Sequence, residues 1–572
     1  MFEAPTCRLT RTAFAASFAF SLLTTGAALA QPPQTSPPEL AAAQRQFQAE
    51  DFKGAIATLE PYFAKNPTSV AGWQILGDSY RRTGNLDKAL EAHIKDSQSR
   101  PGRLRGSFNA AVVHALKGDK ESAFRALRVL RESGSYDMDL VKAHADLAPL
   151  KSDPRFNDLF FKPGDFAEPF VEPVGIVHEW RGENKGDMFG WIARSLGDVD
   201  GDGVRDVVTS AASFSIEGQS AGKVYVYSGR SGKLLWSKTG EKGEALGAGL
   251  ESAGDVNGDG VGDVIAGSPP SGKAYVFEGR TGRLIWTLSA GETGARFGRG
   301  TSFAGDLDGD GCGDVIVGAP GASGSSSDPG HAYVFSGKTG RLLSTLKGES
   351  PGDAFGSIVA GSRDPAHPLL IVGAPAAGPM NTGRAYVYRG LDSSAKFVID
   401  NEDGGVALGF MFVSVVGDTN KDGTPDVYAS DWSSGTGGPS TGRVFVHSGA
   451  DGRRLLTFGG EGPGDGFGVG SADVGDTNGD GHADLLLGAW QHRSAAQSGG
   501  RLHVYSGRDG SLLRRITGKV PGETLGFDAA GIGDVNDDGV PEYLVTSAYS
   551  QVNGFQSGRV FVLSGAPPAQ AR

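Results

Sequence analysis

Cysteine is nearly absent. Of the two in 572 residues, Cys7 lies in an N-terminal stretch expected to be removed and Cys312 stands alone, so no internal disulfide can staple the fold. Runs of lysine and arginine are missing too. The chain carries 54 basic against 66 acidic residues, a net charge of −12, which argues against a nucleic-acid partner because phosphate binding draws on basic patches. Beyond residue 30 no stretch is long and apolar enough to span a bilayer. None of the ten histidines forms H-E-x-x-H. Glycine, by contrast, is abundant at 90 residues, roughly twice the average usage of about 7%. With 38% hydrophobic residues, this describes turn-rich packed domains, not disorder.

At the N-terminus, Arg8 and Arg11 precede the apolar run "AFAASFAFSLLTTGAALA", which ends in Ala28-Leu29-Ala30 and gives way to "QPPQTSPPE". A charged start, an apolar middle and a small-residue end predict a cleavable secretory signal over 1–30 and a Pro-rich linker over 31–38. The Ser, Thr and Gly of the run speak against a retained anchor. The expected location is periplasm, cell surface or medium, with no transmembrane segment once the signal is removed.

Two repeat periods follow. Over 39–162 the pattern is helical, with Ala55, Ala89 and Ala123 spaced by 34 residues, as are Gly84 and Gly118, and Pro67 and Pro101. The stretch "WQILGDSYRRTGNLDKALEAHIK" (73–95) resembles the tetratricopeptide family, with small Gly77 and Ala89 letting two helices approach and Trp73, Leu76 and Tyr80 filling the ridge between them. Two to three helix pairs and a closing cap at 143–156 are expected, and His114 is read as a seam residue.

After a linker over 163–173, the region 174–565 turns to short strands between glycine-rich turns, and 566–572 is a tail. Phe189, Leu246, Phe297, Phe355, Leu408, Phe467 and Leu525, each followed by Gly, recur every 51–59 residues. Seven alternating segments, from "GKVYVYSG" to "GRVFVLSG", give the same count. Four short strands per unit is the blade of a propeller. The last unit lacks its outer strand while "GIVHEWRGE" (175–183) is an orphan, so the N-terminal strand is expected to complete the seventh blade and remove two open edges. The expected fold is thus mainly β: a seven-bladed β-propeller of four-stranded blades preceded by a small all-α helical-repeat domain. The ordered recurrence of "FG", an acidic loop and "VGAP" (317–320 and 372–375) resembles the FG-GAP repeat of integrin alpha heads and their bacterial relatives.

Six units carry the acidic loop D-x-[DN]-x-D-G-x-x-[DE]. Its acidic and amide positions are Asp198, Asp200, Asp202 and Asp206; Asp255, Asn257, Asp259 and Asp263; Asp306, Asp308, Asp310 and Asp314. The other three loops supply Asp418, Asn420, Asp422 and Asp426; Asp476, Asn478, Asp480 and Asp484; and Asp534, Asn536, Asp538 and Glu542. Oxygens at positions one, three and five surround one point, glycine at six permits the sharp turn, and a hard cation such as Ca²⁺ takes six to eight oxygens. An EF-hand needs Glu at position twelve; here the last acid comes at nine and opens a strand, so up to six structural Ca²⁺ ions would staple hairpins. In the family resembled, calcium sits in this loop, and position seven would add a backbone carbonyl. The fourth unit offers Ala366 and Pro368 where ligands belong, and no metal is expected there.

No catalytic residue is expected. Ser350 in "GESPG" matches G-x-S-x-G, but the equivalent turns "GENKG" and "GEGPG" lack serine. His447, His482 and His503 fall on strands or a variable loop position, and are expected to be satisfied or solvent-facing. The reading is an exported, non-enzymatic calcium-binding scaffold or adhesion-type protein meeting a protein or glycan partner. The alternative is a carbohydrate-active or quinone-dependent propeller enzyme, or a lectin, working from the central funnel; "YVFEGRTGRLIW" with Trp286, and Trp236 one unit earlier, resembles the quinone-enzyme blade.

Overall fold

The computed structural model describes residues 37–99, 104–291, 295–321, 327–402 and 404–566. The expected signal at 1–30, most of the Pro-rich stretch after it and residues 567–572 lie outside these. The chain divides after Phe160 into two compact units.

The first unit is helical. Helices Pro38–Gln48 and Phe52–Lys65, Trp73–Arg82 and Leu86–Ser99, and Arg105–Leu116 and Lys120–Ser133 follow one another, with Met138–Ala143 and two 3-10 turns behind them. The first helix starts one residue inside the stretch read as linker; Pro38 sits in its first turn, where a missing N–H leaves no intrahelical bond unmade. The 34-residue period has a structural origin in the seams and in the caps. Ala55, Ala89 and Ala123 are fully buried, and a Cβ on Gly77 would lie 2.5 Å from the His93 ring, so only a small residue allows that helix approach. Asp51, Asn85 and Asp119, 34 residues apart, accept N–H bonds from residues three positions on, Gly54, Lys88 and Ser122, as helix N-caps do. The Phe63 and Trp73 rings stack at 3.6 Å. His114 is half-buried and pairs with Asp119 at 3.2 Å.

Among the described residues the second unit forms seven four-stranded antiparallel sheets and one two-stranded ribbon. Each sheet is a blade. Blade one runs Phe189–Ser195, Val207–Ala211, Lys223–Tyr227 and Leu234–Thr239 from the axis outward. The innermost strands meet their neighbours all the way round, and Ala529–Gly533 of blade seven meets Phe189–Ser195 of blade one, closing the ring. Ile176–Arg181 pairs with Arg559–Leu563 as the outer strand of blade seven, as the orphan segment predicted.

The recurring motif residues join successive blades. The glycine opening a third strand bridges the FG position of the next unit, as Gly330 does to Phe355 and Gly558 to Phe189. Gly330 has φ +85°, and a Cβ there would sit 2.2 Å from the Phe355 carbonyl oxygen. Outer-strand tryptophans tie the rim: the indole N–H groups of Trp180, Trp236 and Trp286 donate to the carbonyls of Gly232, Gly279 and Gly337 in the following blade at 2.6–2.8 Å.

The stretch 163–173 differs from a plain linker. Phe166 and Phe170 are buried, Phe170 packs edge-on against Phe561 at 5.2 Å, and Glu172 takes the Thr517 N–H at 2.6 Å and its hydroxyl at 3.0 Å. Two phenylalanines in a short Pro-rich segment have no periodicity to betray them, yet their burial fixes the segment to blades six and seven.

Candidate metal centres

All six acidic loops join the first strand of a blade to its second. In the second blade the loop leaves Gly249–Gly254 at Asp255 and enters Asp263–Ser268, whose residues are all buried. The first-position acid organises the turn: Asp255 Oδ1 accepts the N–H of Gly258 (2.7 Å) and Asp259 (3.1 Å), and Oδ2 that of Gly260 (2.8 Å). Asn257 Oδ1 accepts from the Asp259 N–H and Asp259 Oδ1 from the Val261 N–H, both at 2.9 Å. The same bonds from the N–H of position six to the first acid recur at Asp198, Asp306, Asp418, Asp476 and Asp534, at 2.7–3.0 Å. Each loop therefore holds its side-chain oxygens on a rigid turn.

The ninth-position acid does more than its spacing suggested. Asp206, Asp263, Asp314, Asp426, Asp484 and Glu542 are fully buried. One carboxylate oxygen accepts the N–H of position two, for example Val256 to Asp263 at 3.0 Å and Val535 to Glu542 at 2.8 Å. In the five aspartates the other oxygen accepts the N–H of a glycine after the third strand: Gly229, Gly279, Gly337, Gly449 or Gly507, at 2.9–3.2 Å. Those glycines allow a tight contact, since a Cβ on Gly279 would lie 1.9 Å from the Gly262 carbonyl oxygen. The preceding serine also reaches in, with Ser448 Oγ donating to Asp422 at 2.9 Å. The recurring "SG" after the third strand was the sequence signal for these partners.

Three loops bring three acids within 4.8 Å of one another: Asp198, Asp200 and Asp206; Asp306, Asp308 and Asp314; Asp534, Asp538 and Glu542. Asp202 and Asp310 stand outside these trios, turned toward Ser228 and Ser336. The loops at Asp255, Asp418, Asp476 and Asp534 have Asn at position three, which supplies an amide oxygen where the loops at Asp198 and Asp306 offer a carboxylate. Burial pushes four of the ninth acids above the usual carboxylate range, to about 6 for Asp206, Asp314 and Asp426 and about 7 for Asp263, with backbone N–H bonds opposing and neighbouring acids adding. Crowded carboxylate and amide oxygens form a donor set suited to a hard cation. In the fourth unit, Asp364 is engaged locally by the Ala366 N–H (2.8 Å) and His367 Nδ1 (2.9 Å).

The other sequence candidates sit in structural contacts. Ser350 lies in a turn, its N–H bonded to Asp353 at 2.7 Å. His447 and His503 are buried, not solvent-facing; they bond the Gly452 carbonyl at 2.8 Å and Glu461 at 3.2 Å. His482 Nδ1 lies 2.6 Å from the Thr419 carbonyl.

A model of the FG-GAP repeat matches residues 189–227, and one of the FG-GAP-like repeat matches 255–317. The chain is 33% identical over 168 residues to integrin alpha-PS5 of Drosophila melanogaster, covering 26% of this chain and 17% of the relative. It is 28% identical over 205 residues to integrin alpha-V of Gallus gallus, covering 32% and 19%, and 28% identical over 226 residues to integrin alpha-4 of Xenopus laevis, covering 37% and 21%. The matched stretches thus span only about a fifth of these relatives' length. With seven blades, FG positions bridging successive units and acidic loops in six of them, the ring is an FG-GAP, integrin-alpha-like β-propeller.

Proposed function

We propose that the protein is an exported, non-enzymatic scaffold of the adhesion type, its propeller stapled by up to six structural Ca²⁺ ions, which meets protein or glycan partners through the propeller faces and the tetratricopeptide-like helices. The ions would be held by positions one, three, five and nine of each loop and the carbonyl of position seven. They would neutralise carboxylates that otherwise repel one another beside a buried acid. The observation that carries this reading is the repeated loop geometry: six turns with side-chain oxygens on one rigid frame, three of them with three acids within 4.8 Å. The integrin alpha relatives support the adhesion side of it. Among the described residues no helix is long and apolar enough to cross a membrane, and the N-terminal leader pattern supports export.

Immobilised full chain probed with glycan arrays and envelope fractions of the producing cell, with and without Ca²⁺, tests the scaffold. Saturable, calcium-dependent binding without turnover is expected. Polysaccharide cleavage or alcohol oxidation by the purified protein would overturn it.

A further inference from the structure

The propeller axis holds a cavity of about 500 Å³ lined by the innermost strands. Its wall is basic in an acidic protein: Arg194, Arg205, Arg299 and Arg363 face it against Glu251 and Asp364, although the chain's net charge is −12. These charges are not equally engaged. Arg194 bonds Glu251 at 2.7 Å and also pairs with Asp528; Arg363 lies 3.6 Å from Glu251; Asp364 is held by His367. Among the described residues no carboxylate pairs with Arg299, which is half-buried with its guanidinium 5.8 Å from the Phe410 ring centre. Its Nη2 is buried without a hydrogen bond, and so is Oγ1 of Thr301, two residues along the same wall. Burial, with Arg296 nearby, lowers the Arg299 pKa to about 10, so the guanidinium keeps its charge at neutral pH.

A buried cation with an unused donor is costly unless something pairs with it. A guanidinium and a neighbouring hydroxyl together present donors to a planar anion, for which the arginine fork is well shaped. The cavity also exposes Trp191, Phe303 and Phe412, apolar surface that a bare inorganic ion would not use but the carbon frame of an organic molecule would. We propose that the central cavity of the ring binds a small organic carboxylate, its acid group held by Arg299 and Thr301. Arg299 and Thr301 lie outside the acidic loops, although Arg205 and Pro425 of two loops also line the cavity, and the proposal stands or falls independently of calcium binding.

The full chain, with calcium present, is titrated calorimetrically with glucuronate, succinate, inorganic phosphate and glucose. One carboxylate is expected to bind at one per chain, at least about tenfold more tightly than phosphate or glucose. Arg299→Met should weaken it about tenfold or more, and Thr301→Val about threefold. Preference for glucuronate supports the site and identifies a sugar acid as the ligand class; preference for succinate supports it and identifies an aliphatic acid. Carboxylates binding no better than phosphate or glucose, or binding R299M as well as the native chain, overturn the proposal. Should R299M fail to fold, Thr301→Val decides: unchanged affinity in that variant overturns it.

Discussion

At Asp314 both carboxylate oxygens are already taken by backbone N–H groups, those of Leu307 at 2.8 Å and Gly337 at 3.1 Å, whereas Asp308 in the same loop is exposed. The two substitutions should therefore separate. In chelator, Asp314→Ala leaves two N–H groups unpaired and should cost about 2–3 kcal/mol by urea unfolding, while Asp308→Ala should stay within about 0.5 kcal/mol. With Ca²⁺ present, both should lose one bound equivalent in equilibrium dialysis. The acidic pattern of such loops was legible because it recurs at fixed spacing. The clamp of the ninth acid onto a glycine 16–23 residues away was not, because spacing within a loop says nothing about what lies across the hairpin. His93 shows the same limit. It is buried against Gly77, its Nε2 3.7 Å from Asp78, and burial, then Arg81, lowers its pKa to about 4. The unfolded chain protonates this group first as pH falls below about 6.5, so the helical unit should lose stability between pH 6.5 and 4, by up to about 3 kcal/mol. Helical ellipticity at 222 nm followed in urea at several pH values measures it, and His93→Leu should flatten the dependence.

Among the elements, the closing strand of blade seven depends on Arg559, 1% exposed. Its guanidinium bonds Glu179 on the N-terminal strand at 2.9 Å, Glu523 at 3.2 Å and the Phe166 carbonyl at 3.0 Å. Arg559→Met would leave the fully buried Glu523 side chain without its cation and should cost about 3–5 kcal/mol in chemical unfolding. That the N-terminal strand completes the last blade could be deduced by counting strands, since one end had a surplus and the other a deficit. The buried arginine that locks it could not, because in sequence Arg559 is one more basic residue opening a strand, like Arg443 and Arg501. The docking of 163–173 escaped notice for a related reason: Phe166 and Phe170 sit in a segment with no period, and only the surface they cover explains them.

For the whole molecule, repetition made the architecture readable. A single nine-residue acidic loop is a turn; six of them at the same place in seven blades define a ring with a repeated electrostatic problem. Crowded acids on rigid turns beside buried carboxylates favour the unfolded chain unless a cation binds, and a ligand that binds only the folded form stabilises it by mass action, by about 2.7 kcal/mol per site at a concentration one hundred times its Kd. The lining of the axial cavity lay beyond sequence reading, since its wall draws on strands far apart in the chain. The most direct test of the stapled-ring account is the thermal melting of the purified full chain in millimolar Ca²⁺ and again after chelation. The account predicts a fall in Tm of about 10 °C or more on chelation, restored by added Ca²⁺; a Tm unchanged within about 1 °C would contradict it.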